Sequence, residues 1–221
     1  EKARGYKLFL EIMKWFVLKK GLISYSPAHV GAFLKSSPEI DLPDLQFVFT
    51  PASYTEGMIG KLQNIPGITC GVWQSRPQSR GYVRALSSHI KDAPLIQPNY
   101  LKETIDQDVL IQGVKICRDL LKTSKMKKIS IKETLPGENI KTDSEILNFI
   151  KNNGATVYHA IGSCRMGIDK DAVVDANLKL NGVENLRVAD ASIMPTMPSG
   201  NTNAATLMIA EKASDLIKKD M

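Results

Sequence analysis

Helical periodicity in this chain is confined to four separated stretches, and that spacing constrains the fold more than any other feature. Apolar residues recur at helical intervals over 6–18 (YKLFLEIMKWFVL), about 104–121, 143–151 and about 204–219. The second stretch carries Leu110, Val114, Cys117 and Leu121 along one side. Thr142 and Glu145 have the spacing of a capping box at the start of the third, and Lys218 and Lys219 suit the carbonyl end of the fourth. Between the first two helices lie runs of bulky β-formers. LQFVFT (45–50), ITCGVWQ (68–74) and GYVRAL (81–86) read as strands, and residues 23–33 as a loop entering a short extended segment. Two prolines between Asp92 and Asn99 exclude a central strand there. The chain is therefore expected to be α+β (mixed α/β), with a largely antiparallel sheet covered by helices. A C-terminal strand (LRVA, 186–189), loop and helix complete it.

Several function classes are excluded early. No apolar run approaches the roughly 20 residues that span a bilayer. The net charge of +6 comes from small lysine groups such as Lys19-Lys20 and Lys218-Lys219. Aromatics, 6% of the chain, do not interleave with these lysines, so the charge reads as solvated surface and no nucleic-acid partner is expected. Cys70, Cys117 and Cys164 are an odd number at wide spacing, which suggests neither a disulfide framework nor a zinc site. The chain opens Glu1-Lys2-Ala3-Arg4 with a helix already under way by Tyr6, and is expected to be a piece of a longer polypeptide.

Three clusters in the last third carry the chemistry. In Tyr158-His159-Ala160-Ile161-Gly162-Ser163, a histidine followed by small residues suits a tight turn that presents an imidazole to a pocket. Histidine can accept a proton near neutral pH, although an isolated histidine is more often structural. In Val188-Ala189-Asp190-Ala191-Ser192, a short apolar run enters an acidic turn; its aspartate can fix backbone amides or cofactor hydroxyls. In Ser199-Gly200-Asn201-Thr202-Asn203, a polar turn leads directly into the last helix. Asn203 stands where an N-cap is expected, and such a helix end favours negative charge. A metal reading of His159 with Cys164 lacks further ligands at suitable spacing.

Taken together these clusters resemble the glucose–methanol–choline (GMC) family of flavoproteins, particularly its choline dehydrogenase-like bacterial branch. The signature pieces are YHAIGSCRMG (158–167), VVDANLKLNGVENLRVADASIMP (173–195) and SGNTNAATLMIAEKASDLI (199–217), with RPQSRGYVRALSSHIKDAPLIQPNYL (76–101) upstream. The resemblance implies an FAD-dependent oxidoreductase of alcohols that passes hydride to flavin N5. It places the active-site histidine at His159 and its partner, an asparagine in some members, at Asn203. Asp190 and Ala191 match the stretch under the flavin and its pyrophosphate–ribityl portion, and Asn201 and Thr202 the turn beside the flavin ring. It further implies a substrate-binding domain over 1–155 and a catalytic, flavin-contacting segment over 156–221. No G-x-G-x-x-G fingerprint is present, so a Rossmann-type FAD domain is expected from the same parent chain or a partner. A small-molecule alcohol is the expected substrate; choline, aliphatic alcohols, ethers and sugars all stay open. The electron acceptor is unspecified, and the expected location is cytoplasmic or loosely membrane-associated. The competing reading is a non-catalytic interaction module that binds no FAD by itself.

Overall fold

The computed structural model describes residues 5–26, 28–55, 58–130 and 132–220. The opening residues 1–4 and one position of the loop expected at 23–33 lie outside them. The chain forms two compact units, one from 1–73 with 110–155 and the other from 74–109 with 156–221.

In the first unit the helical pattern at the start forms α1 (Gly5–Leu18), followed by β1 (Val30–Leu34) and β2 (Leu45–Thr50). Two further strands, β3 (Tyr54–Thr55) and β4 (Met58–Leu62), make a small antiparallel pair, and β5 (Thr69–Gln74) completes a sheet ordered β1-β2-β5. β1 and β2 are antiparallel, with Val30 opposite Phe49 and Leu34 opposite Leu45. Period-2 alternation turns Leu45 and Phe47 inward, where both are fully buried. α2 (Thr104–Leu121) runs from the second unit into the first, and its pattern is offset from the expected one. Asp106, Val109, Ile111, Gly113 and Cys117 are the buried positions, whereas Leu110, Val114 and Leu121 are half-buried. The reason is close approach. A Cβ on Gly113 would lie 2.9 Å from Val72 and 3.2 Å from Leu45, so only glycine lets the helix settle on the strands. One turn further on, the Cys117 thiol meets that of Cys70 at 3.1 Å, a contact their separation in sequence did not suggest. All three cysteines are free. α3 (Asp143–Asn153) begins with the expected capping box: Glu145 donates its amide to Thr142, and its carboxylate accepts the Thr142 amide.

The second unit is held by polar and apolar anchors of different kinds. β6 (Tyr82–Arg84) and β7 (Leu95–Gln97) form an exposed two-stranded ribbon, which is where a proline-flanked strand can be tolerated. The loop before β6 is tied to the first turn of α2 by Asp106, which is 1% exposed. Its carboxylate accepts from the amides of Gln78 (2.8 Å) and Ser79 (2.7 Å), from the Gln74 side chain (2.9 Å) and from the Ser79 hydroxyl. Burial pushes this carboxyl up, but the four donors together hold it below the ordinary carboxylate range. The apolar anchor is a cluster of Val174, Leu178, Ile193, Met194, Ile209 and Ala213 beneath α4 (Asn203–Asp220). The expected strand at 186–189 is reduced to one bridge, Arg187 opposite Lys179. Among the described residues no helix is long and apolar enough to cross a membrane, and no group of three or more metal-ligating side chains assembles.

Two stability predictions follow from these contacts. Gly113→Val forces a branched side chain against Val72 and is expected to cost about 1–3 kcal/mol in thermal unfolding. Adding Val72→Ala should recover part of that loss, as relief of the specific clash requires. Asp106→Ala strands several buried donors and is expected to cost on the order of 3 kcal/mol at neutral pH. Because the folded carboxyl is depressed, its contribution is present above the unfolded value near ~3.9 and is lost as pH falls through the lower folded value. The wild type should therefore lose more stability than the variant when melts are compared from pH 5 down to pH 2.

Candidate active site

The segment that carries His159 is a backbone turn with two left-handed residues. Tyr158, immediately before the histidine, has φ 61°, and Gly162, just beyond it, has φ 83°. Such a conformation is natural for glycine and unusual for a bulky residue like tyrosine, so the surroundings must hold it in place. The Tyr158 amide donates to the Thr156 hydroxyl at 3.0 Å, and Tyr158 itself is 79% exposed. Downstream, the Cys164 and Met166 amides donate to the carbonyls of Ser192 (3.0 Å) and Ile193 (2.8 Å). These bonds fasten the histidine segment to the Asp190 turn and, through Ile193 and Met194, to the core under α4.

α4 supplies the opposite side. It begins at Asn203 itself, which moves the position before the helix from Asn203 to Thr202. The Thr202 carbonyl accordingly accepts the first helical bond, from the Thr206 amide at 2.9 Å. Thr202 is buried at 8% exposure, and its hydroxyl lies 3.0 Å from His159 Nδ1. Residues 43 positions apart are thus in direct contact. His159 is half-buried, and among the described residues its Nε2 has no hydrogen-bond partner.

The remaining expected positions have distinct settings. Asn203 is exposed on the first turn of α4, beside Thr202 in the chain, and Asn201 is exposed in the turn just before it. Asp190 caps a short 3-10 turn over Ala191–Ile193, accepting the Ser192 amide at 2.7 Å. The Ser192 side chain and amide hold its carboxyl below the ordinary range, so it is an anion at neutral pH. Ala191 packs against the core cluster. No described hydrogen bond links His159 to Asp190, Ala191 or Asn203. Beside the turn lies a cavity of about 310 Å³, lined largely by apolar side chains including Met166, Met194, Pro195, Pro198 and Met208. Sequence reasoning missed two anchors. One is the Thr202 contact with the imidazole; the other is Arg76, whose Nε donates to Ser199 at 2.7 Å and ties the segment before β6 to the turn leading into α4. Nothing in the pattern of residue types marks either.

Residues 77–210, a span that contains both His159 and Asn203, match the family model for GMC oxidoreductases. The chain belongs to the GMC oxidoreductase family. It is 41% identical over 212 residues to an alcohol dehydrogenase [acceptor] of Pseudomonas putida, covering 95% of this chain and 38% of that protein. An oxygen-dependent choline dehydrogenase of Vibrio vulnificus is 36% identical over 206 residues, covering 92% of this chain and 37% of that protein. Among solved structures, pyridoxine 4-oxidase from Mesorbium loti superposes with a TM-score of 0.77 at 30% identity, covering 86% of this chain and 37% of that chain. The chain therefore spans well under half the length of the GMC proteins it matches. The family's cofactor is FAD.

Proposed function

We propose that this chain is the substrate-side part of an FAD-dependent GMC oxidoreductase that oxidises a primary alcohol, choline-like or aliphatic, with His159 as the base for the hydroxyl proton. The reading rests on one observation above all. The two segments that the family signature marks, around His159 and Asn203, meet through the 3.0 Å contact of His159 with Thr202 at the head of α4. The proposed division of labour is a substrate-binding domain over 1–155 and a catalytic segment over 156–221. The dinucleotide portion of FAD would be held by a Rossmann-type region not among these residues.

The residues present fit the flavin ring. The head of a helix directs amide hydrogens and a positive dipole end outward, which suits the electron-rich pyrimidine side of a flavin. Asn201 and Thr202 form the turn at that helix end, and the adjoining cavity offers an apolar wall. The Asp190 carboxylate would accept from the ribityl hydroxyls, and the Ala191 turn would run beside the pyrophosphate portion. When bound, FAD supplies the hydride-accepting chemistry.

His159 and Asn203 act on the other reactant. An alkanol holds its proton far too tightly to lose it to an imidazole in a separate step. Proton removal at Nε2 must therefore be concerted with departure of hydride from the carbinol carbon, or follow stabilisation of the alkoxide by nearby donors. Asn203 suits the second task, because a carboxamide N–H donates to the substrate oxygen and does not compete for the proton.

A positioned base contributes about 10²- to 10⁴-fold. In the FAD-loaded full-length enzyme, His159→Ala is expected to lower kcat by that order while flavin absorbance per protein is unchanged. Asn203→Ala should lower kcat by a smaller factor, on the order of 10- to 100-fold. Both are measured with choline and 1-octanol as donors and an indophenol dye as acceptor. Wild-type turnover by His159→Ala on the donor the enzyme accepts overturns the assignment.

A further inference from the structure

We propose that Thr202 is the positioning residue for His159, holding the imidazole by Nδ1 so that Nε2 is left for the substrate proton. The proposal rests on the reading of His159 as the base and names the group that makes it one. Three features of the site carry it. The Thr202 hydroxyl is 3.0 Å from Nδ1 and is the only hydrogen-bond partner the ring has among the described residues. Thr202 is buried, so the contact is shielded from water, which would otherwise offer Nδ1 an equivalent partner. Its backbone is also pinned: the Thr206 amide and hydroxyl both donate to the Thr202 carbonyl, each at 2.9 Å. A β-branched side chain on a fixed backbone has little freedom at χ1, so the hydroxyl is a rigid strut.

The chemistry explains why a hydroxyl serves here. In the base-competent neutral ring the proton sits on Nδ1 and is donated to Thr202 Oγ1, and the Nε2 lone pair faces the substrate. When Nε2 takes the substrate hydroxyl proton, the ring becomes a cation with N–H at both nitrogens. Nδ1–H continues to donate to the same oxygen, so no partner has to move during the step. When Nε2 later releases its proton the ring returns to the starting tautomer.

The test separates this role from a structural one. In the FAD-loaded full-length enzyme, with choline or 1-octanol as donor and an indophenol dye as acceptor, Thr202→Val keeps the shape and removes the hydroxyl. It should lower kcat about tenfold, the size expected for one lost neutral hydrogen bond, with KM within about threefold and flavin content unchanged. Thr202→Ser, which restores the hydroxyl, should recover kcat to within about threefold of wild type. In a His159→Gln background, Thr202→Val should cause no further loss, because the group it positions is gone. Wild-type kcat in Thr202→Val, or an equal further loss in the His159→Gln background, overturns the proposal. Full activity in His159→Gln alone instead overturns the reading of His159 as base. If Thr202→Val fails to retain flavin, Thr202→Ser is compared with Thr202→Ala; the proposal requires Ser to be the faster and fails otherwise.

Discussion

The site depends on one constraint, the immobilisation of α4 along its middle and at its C-terminal end. Along its middle, Ile209 and Ala213 sink into a cluster with Val174, Leu178, Ile193 and Met194. At its end, the Asp220 carboxylate pairs with Lys179 at 2.7 Å and with Arg187. Exposed ion pairs contribute little on their own, and burial of the apolar stripe must supply most of the anchoring. A helix fixed in this way presents its first turn as a rigid platform. Thr202 and Asn203 sit on that turn, so the precision of any chemistry there is set by packing several turns away.

The opposing segment reaches the same precision without regular secondary structure. Residues 156–202 contain only isolated bridges and a 3-10 turn, and five of them (Tyr158, Gly162, Leu178, Gly182 and Asn185) adopt positive φ. Backbone groups in such a segment still need partners. They find them in bonds between non-adjacent turns, including Val173 to Arg165, Asn181 to Val173 and Val188 to Leu178. The cost of holding Tyr158 in a left-handed conformation is offset by this mesh and by the core beneath it. Such strain is a recurring feature of active sites, and here it lies one residue before His159, the base proposed above.

How much of this the residues announced depends on the range of the interaction. The α2 bounds, the capping box at Thr142 and the strands at 45–50 and 69–74 are local patterns, and they were legible. His159 and Asn203 are proposed from the family signature, because residue order and spacing survive in one dimension. What escaped was decided by three-dimensional approach. The buried side of α2 leaves Leu110, Val114 and Leu121 half-exposed because Gly113 has to meet Val72 and Leu45. The strand expected at 186–189 shrank to one bridge because its neighbours are loops that offer no long edge to pair with. Asp106 looks like an ordinary acidic residue in a first helical turn, and nothing in its neighbourhood says that it is buried under four donors. Thr202 was read as part of a cofactor turn, and only its contact 43 positions away gives it a second task.

On the proposed reading, the nature of that contact bears on how a single histidine would serve a hydride-transfer reaction. A carboxylate at Nδ1 would stabilise the imidazolium and make the ring slow to give its proton back. A buried hydroxyl accepts from Nδ1–H while staying neutral, and adds no fixed charge beside a cofactor whose own charge would change during turnover. Placing it on the residue before α4 also couples two demands that would otherwise need separate supports. If both proposals hold, the helix end that suits the flavin and the hydroxyl that steadies the imidazole are one rigid object, and alignment of base and cofactor would not rely on two independently moving parts.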